Sequence, residues 1–129
     1  MRAVDTNLLV RYVTGDDPTQ SAKARAVIGG GPVFVPRTVM LETEWVLRGV
    51  YDLPTREVIQ ALRAVAGLPG VVVEDPLLVA RALDWAEGGM DFADALHLAA
   101  ARDCVSFLTF DRRLARSASR AGGISVAVP

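Results

Sequence analysis

Short apolar runs alternate with helix-patterned stretches along the whole chain, and that alternation constrains the fold more than any other feature. The runs are Arg2–Val4 ("RAV"), Val33–Pro36 ("VFVP"), Val71–Glu74 ("VVVE"), Val105–Phe110 ("VSFLTF") and Ile124–Val128 ("ISVAV"). Between them the patterning predicts helices over Thr6–Val13, Thr19–Ile28, Thr38–Val50, Pro54–Ala66, Pro76–Glu87, Asp91–Asp103 and Arg112–Ala121. Glycine and proline punctuate these segments, and Pro18 is suited to open the second helix. Connections this long exclude hairpins, so the strands are expected to lie parallel in a sheet covered by helices on both faces. Folds of that kind place their sites just beyond the carboxyl ends of strands. Asp5 and Asp111 both stand directly after an apolar run.

The totals narrow the class. A chain of 129 residues is expected to form one domain, 1–129. With 51% hydrophobic residues and a mean hydropathy of +0.30, it is not a disordered chain. The net charge of −1 excludes a basic nucleic-acid arm, so contact with nucleic acid would need a local patch or a metal ion. Every basic residue except Lys23 is arginine, which suits forked phosphate contacts and fits a GC-rich genome equally well. Cys104 is the only cysteine, which excludes an intrachain disulfide and a cysteine-based zinc site; after an apolar run it is expected in the core. No apolar run approaches the ~18 residues of a membrane span. Asp5 arrives too early for a signal peptide, so a cytoplasmic protein without membrane attachment is expected.

The acids carry the functional question. Asp5 and Asp111 each precede a helix and are natural N-caps. Glu42 borders a stripe of Val39, Val46 and Val50, expected to be the packing face of its helix, where a solvated flank position is the plain alternative. Glu44 is expected to point away and form an exposed pair with Arg48. In "DFADALHLAAARD", Asp91 follows Gly88-Gly89-Met90 as a cap, while Asp94 lines up with Leu98 and Ala101 and is expected to face the sheet. Each acid has an ordinary explanation alone. Four segments that each deliver a carboxylate to a strand end or helix edge need a cation, because converging carboxylates repel and burial raises their pKa. An all-oxygen set without cysteine or clustered histidine suits Mg2+ or Mn2+, not zinc. Such an ion activates water and stabilises charge on a phosphate.

The motifs "VDTNLLVRYV", "VMLETEWVLRG", "DFADALHLAAA" and "FLTFDRRLAR" resemble, in order and spacing, those of PIN domains, most closely the VapC-type toxins of bacterial toxin–antitoxin pairs. The resemblance spans nearly the whole chain. It implies a three-layer α/β/α fold around a parallel sheet and a Mg2+- or Mn2+-dependent ribonuclease. It matches Asp5, Glu42, Asp94 and Asp111 to an acidic quartet that serves catalysis and metal binding, with Asp91 auxiliary. Thr6, Asn7 and Thr109 would orient carboxylates or water. The implied reaction is in-line attack of water on an RNA phosphodiester, without a nucleophilic side chain. His97, the only histidine, is read as a polar flank. Arg112, Arg116 and Arg120 recur every four residues from Asp111, a row that would contact substrate or an acidic partner, or simply be solvated.

The resemblance also implies a small cognate antitoxin and a homodimer, for which Val50, Tyr51, Val58 and Leu62 are candidates if they are not core. Rival readings are weaker. A haloacid-dehalogenase-like phosphatase needs a second Asp where Asn7 stands and a well-placed lysine; a receiver domain lacks its lysine too. A housekeeping PIN nuclease and a non-catalytic interaction module remain as alternatives, and metal dependence separates the last from an enzyme.

Overall fold

Valines at alternate positions make the central strand of the first sheet. In the computed structural model, which describes all 129 residues, Val33 and Val35 of β2 (Val33–Val35) are both fully buried. β2 pairs in parallel with β1 (Arg2–Ala3) on one side and β3 (Val71–Val73) on the other, with Ala3 opposite Phe34 and Phe34 opposite Val72. The ladder continues one residue past each neighbour: Val4 N–H donates to the Phe34 carbonyl at 3.1 Å, and Glu74 N–H to the Val35 carbonyl at 2.9 Å. This fixes the chain immediately before Asp5.

These strands belong to the first of two compact units, Met1–Pro76. Its helices are α1 (Thr6–Thr14), α2 (Pro18–Gly29), α3 (Arg37–Gly49) and α4 (Thr55–Ala66). Asp5 and Asp17 cap the first two through their side chains, and Gly15 ends α1 at a φ of 64°, a conformation glycine adopts without strain. α3 begins after Pro36 and has no cap from its own segment. Glu74 supplies one from the end of β3: its Oε1 accepts from Arg37 N–H at 2.9 Å, and Asp75 pairs with the same arginine at 2.8 Å. The end of one strand thereby anchors the helix that carries Glu42. Glu74→Ala is expected to lower the melting temperature by several degrees, the effect of losing a cap worth about 1 kcal/mol, as read by circular dichroism.

The packing face of α3 differs from the expected stripe. Met40, Thr43, Glu44 and Leu47 are buried, whereas Val39 and Val46 are half-exposed and Val50 is 64% exposed. Glu44 is therefore not an exposed partner of Arg48: it is buried, and Arg48 Nε donates to its Oε2 at 2.8 Å, supplying the counter-charge its burial requires. In α4, Val58, Ile59, Leu62 and Val65 are buried, which makes Val58 and Leu62 core residues rather than a dimer surface.

The second unit, Leu77–Pro129, contains most of α5 (Pro76–Glu87), α6 (Phe92–Ala100), β4 (Ser106–Leu108), α7 (Arg112–Ala121) and β5 (Ser125–Ala127). β4 and β5 pair in parallel, Phe107 opposite Val126. The parallel strands thus form a three-stranded sheet in the first unit and a two-stranded sheet in the second. α5 buries Leu78, Val79, Ala82, Leu83 and Ala86, and α6 buries Phe92, Ala95, Leu96, Leu98 and Ala99. α6 stops sooner than the sequence suggests. A turn follows, closed by Cys104 N–H donating to the Ala101 carbonyl at 2.9 Å, and it leaves Cys104 exposed instead of in the core. β4 is likewise shorter, with Val105 and Phe110 outside it and exposed. No helix is long and apolar enough to cross a membrane.

Candidate active site

In the first unit, Asp5 is exposed and does what its position suggests: its Oδ1 accepts from Leu8 N–H at 3.0 Å and caps α1. The next residue, Thr6, donates its hydroxyl to Glu42 Oε1 in a short hydrogen bond. That contact ties the start of α1 to the middle of α3, so the segment carrying Asp5 and the Glu42 carboxylate lie together. Glu42 sits on the exposed side of α3, flanked by the half-exposed Val39 and Val46, and not at the edge of the buried face. Asn7 is exposed at the same helix start.

In the second unit, Asp91 caps α6, its Oδ1 accepting from Asp94 N–H at 3.1 Å. Asp94 follows in the first turn and is half-buried. Its pKa is raised, first by burial and then by the negative charges of Asp91 and Asp111; His97, exposed on the same helix, opposes this. No hydrogen bond relieves the Asp94 carboxylate. Asp111 caps α7 by accepting from Arg113 N–H at 2.9 Å and Leu114 N–H at 3.1 Å. Thr109 holds that cap in place, its hydroxyl oxygen accepting from Asp111 N–H at 3.0 Å.

Asp5, Asp91, Asp94 and Asp111 therefore stand at helix starts, and Glu42 stands in the middle of α3 beside the start of α1. The donors are carboxylate oxygens with threonine hydroxyls beside them and no thiolate, which is hard-cation chemistry. Within either unit, no three Asp, Glu, His or Cys side chains stand close enough to hold an ion by themselves. The fit to Mg2+ or Mn2+ accordingly rests on donor type and on Asp94, whose half-buried carboxylate has like-charged neighbours and only His97 to favour its ionised form, so that a divalent cation would relieve it.

The family comparison decides what kind of domain this is. Residues 2–119 match the PIN domain. The chain belongs to the PIN-domain family. PIN domains are nucleases that generally use divalent metal ions, and their α/β three-layer class is that of this chain. Among solved structures, the crystal structure of Mycobacterium tuberculosis VapC20, a toxin that cleaves the sarcin-ricin loop, is similar at 21% identity; the match covers 98% of each chain, with a TM-score of 0.45. No curated protein matches this PIN domain.

Two arginines of the expected row, Arg116 and Arg120, share a cavity with Arg113. Arg113, Arg116 and Arg120 line a cavity of about 420 Å3 together with Trp85 and the Gly88-Gly89 turn at the end of α5, while Arg112 does not. Arg113 escaped the sequence reading because a strict four-residue spacing passes over it. A spacing of three and then four residues, the ordinary pattern of one helix face, picks it out.

Proposed function

We propose that this PIN domain, acting as one domain over residues 1–129, is a Mg2+- or Mn2+-dependent ribonuclease, the toxin of a toxin–antitoxin pair, inhibited in the cytoplasm by a small cognate antitoxin. Asp5, Glu42, Asp94 and Asp111 are the catalytic, metal-holding carboxylates, and Asp91 is auxiliary. One observation carries the reading most: Asp94 is a half-buried carboxylate without a hydrogen bond, facing the charges of Asp91 and Asp111. A structural acid in that position is a net cost; a metal ligand is not.

A divalent cation, held by Asp5, Glu42, Asp94 and Asp111, would supply charge stabilisation on the phosphate and activate water. The protein's own residues do the rest. Asp91 and Asp111 are held by backbone N–H groups, so their carboxylates are oriented before substrate arrives. Thr6 fixes one oxygen of Glu42 and leaves the other free. Thr109 sets the backbone from which Asp111 projects. No serine, cysteine or histidine is needed as nucleophile, which agrees with the exposed, peripheral His97.

A homodimer is the expected assembly. Of its candidate residues, Val50 is the exposed one, and Tyr51 has its hydroxyl engaged by Asp16 at 2.7 Å and by Arg11 at 2.9 Å.

Inducible expression tests the proposal in cells. Wild-type protein should arrest growth and Asp94→Asn should not, and mapped RNA ends from the arrested cells would identify the target. Equal toxicity of the two would remove the site assignment. RNA cleavage without arrest would point to a housekeeping PIN nuclease.

A further inference from the structure

We propose that the cavity between α5 and α7 binds the phosphate backbone of the RNA strand and holds it beside the cleavage site; this rests on the ribonuclease reading. Three observations carry it. First, the cavity is walled by Arg113, Arg116 and Arg120. Arg11, Arg37 and Arg48 are engaged in ion pairs and Arg63 has an interaction of its own, whereas these three guanidiniums have no carboxylate within ion-pair distance. Asp84, the acid in the lining, already has an interaction of its own. Unpaired guanidiniums on one face present forked donors that match phosphate oxygens.

Second, the row has direction. It begins beside Asp111, the cap of α7, and at about 1.5 Å per residue Arg116 and Arg120 lie roughly 7 and 13 Å further along the axis. Those steps are comparable to successive nucleotides of an extended strand, so a phosphate near Asp111 places its neighbours along the row.

Third, the apolar residues of the opposite wall are engaged by the protein itself: Met90 is buried and Trp85 is covered. Trp85 has the Arg81 guanidinium over its ring at 5.5 Å, and a Cβ at Gly123 would come within 3.2 Å of the indole, so glycine there lets the chain close against it. Gly88 and Gly89 add bare backbone. None of the exposed large apolar side chains lies in the cavity, whereas protein partners are gripped through such anchors. A charged, sequence-blind backbone site fits RNA better than an acidic polypeptide.

The test measures binding without cleavage. A fluorescent single-stranded RNA of about 12 nucleotides, within the usual site size of such grooves, is titrated by anisotropy in chelator with the Asp94→Asn protein. Adding Arg116→Ala and Arg120→Ala should weaken binding roughly tenfold or more and flatten the dependence of log affinity on log salt by about 1.4, the loss of two phosphate contacts. Unchanged melting temperature establishes that both proteins are folded. Lysine at the two positions should restore the salt slope. Affinity and slope equal to the parent's would overturn the proposal, as would a parent that binds no RNA. So would arginine variants that lose polyglutamate binding while keeping RNA. Cleavage by wild-type protein with metal is scored separately. Intact cleavage with unchanged RNA binding removes the cavity alone; absent cleavage removes the nuclease reading and leaves the binding data to decide the cavity.

Discussion

In metal-free buffer at pH 7, Asp94→Asn should melt a few degrees above wild type, and with metal present it should cleave RNA at least ~100-fold more slowly, the scale of losing one electrostatic contact to a transition state. The two effects have one cause. Burial and the charges of Asp91 and Asp111 raise the Asp94 pKa above its ordinary 3.8. The folded protein therefore keeps this proton over a range of pH in which the unfolded chain has lost it. Stability from the group is fully present below 3.8 and is lost as pH rises through the folded value. At neutral pH ionised Asp94 is a standing cost, and asparagine removes the charge while nearly keeping the shape. The advantage of Asp94→Asn should accordingly shrink on acidification toward pH 4. Asp5→Asn and Asp111→Asn should show no comparable gain, since both acids cap helices and asparagine caps about as well. Stabilisation combined with loss of activity marks a residue kept for chemistry.

Mg2+ or Mn2+ should reverse that cost in the wild type. A ligand at about 100 times its Kd stabilises by ~2.7 kcal/mol, which in a domain of this size raises the melting temperature by roughly 5–15 °C. Asp94→Asn should gain little. Wild type plus metal should thus overtake a variant that leads without it, and the crossing of the two melting curves is diagnostic. Protons compete with the cation, so the gain should fade on acidification, earliest at the carboxylate whose pKa is raised. A metal-induced rise of equal size in both proteins would place the ion elsewhere.

Local chemistry made much of this molecule legible. Proline and glycine mark the ends of α5 and α7 closely, because those residues act on the backbone regardless of context. Asp5, Asp91 and Asp111 could be recognised as caps for the same reason. Long-range contacts were not legible. On α3 the valines at 39, 46 and 50 looked like the buried stripe, yet Met40, Thr43, Glu44 and Leu47 hold that place, because Arg48 neutralises Glu44 and makes its burial tolerable. Glu74 caps a helix far from it in sequence, which no local pattern announces. Cys104 and Val105 are exposed because α6 terminates in a turn where the apolar run alone suggested core. Of the candidate site, the identity of the acids was legible. The hydroxyl of Thr6 on Glu42 and the cavity under Arg113, Arg116 and Arg120 required the folded chain.

The central claim, metal-dependent RNA hydrolysis by these carboxylates, is tested most directly by incubating end-labelled RNA with purified wild-type protein across a titration of Mn2+ or Mg2+, with Asp94→Asn prepared in parallel. The account predicts cleavage that rises with metal, stops with chelator, resumes when metal is restored, and is nearly absent in the folded Asp94→Asn protein. Cleavage indifferent to chelator, equal cleavage by Asp94→Asn, or no cleavage of any RNA at any metal concentration would contradict it.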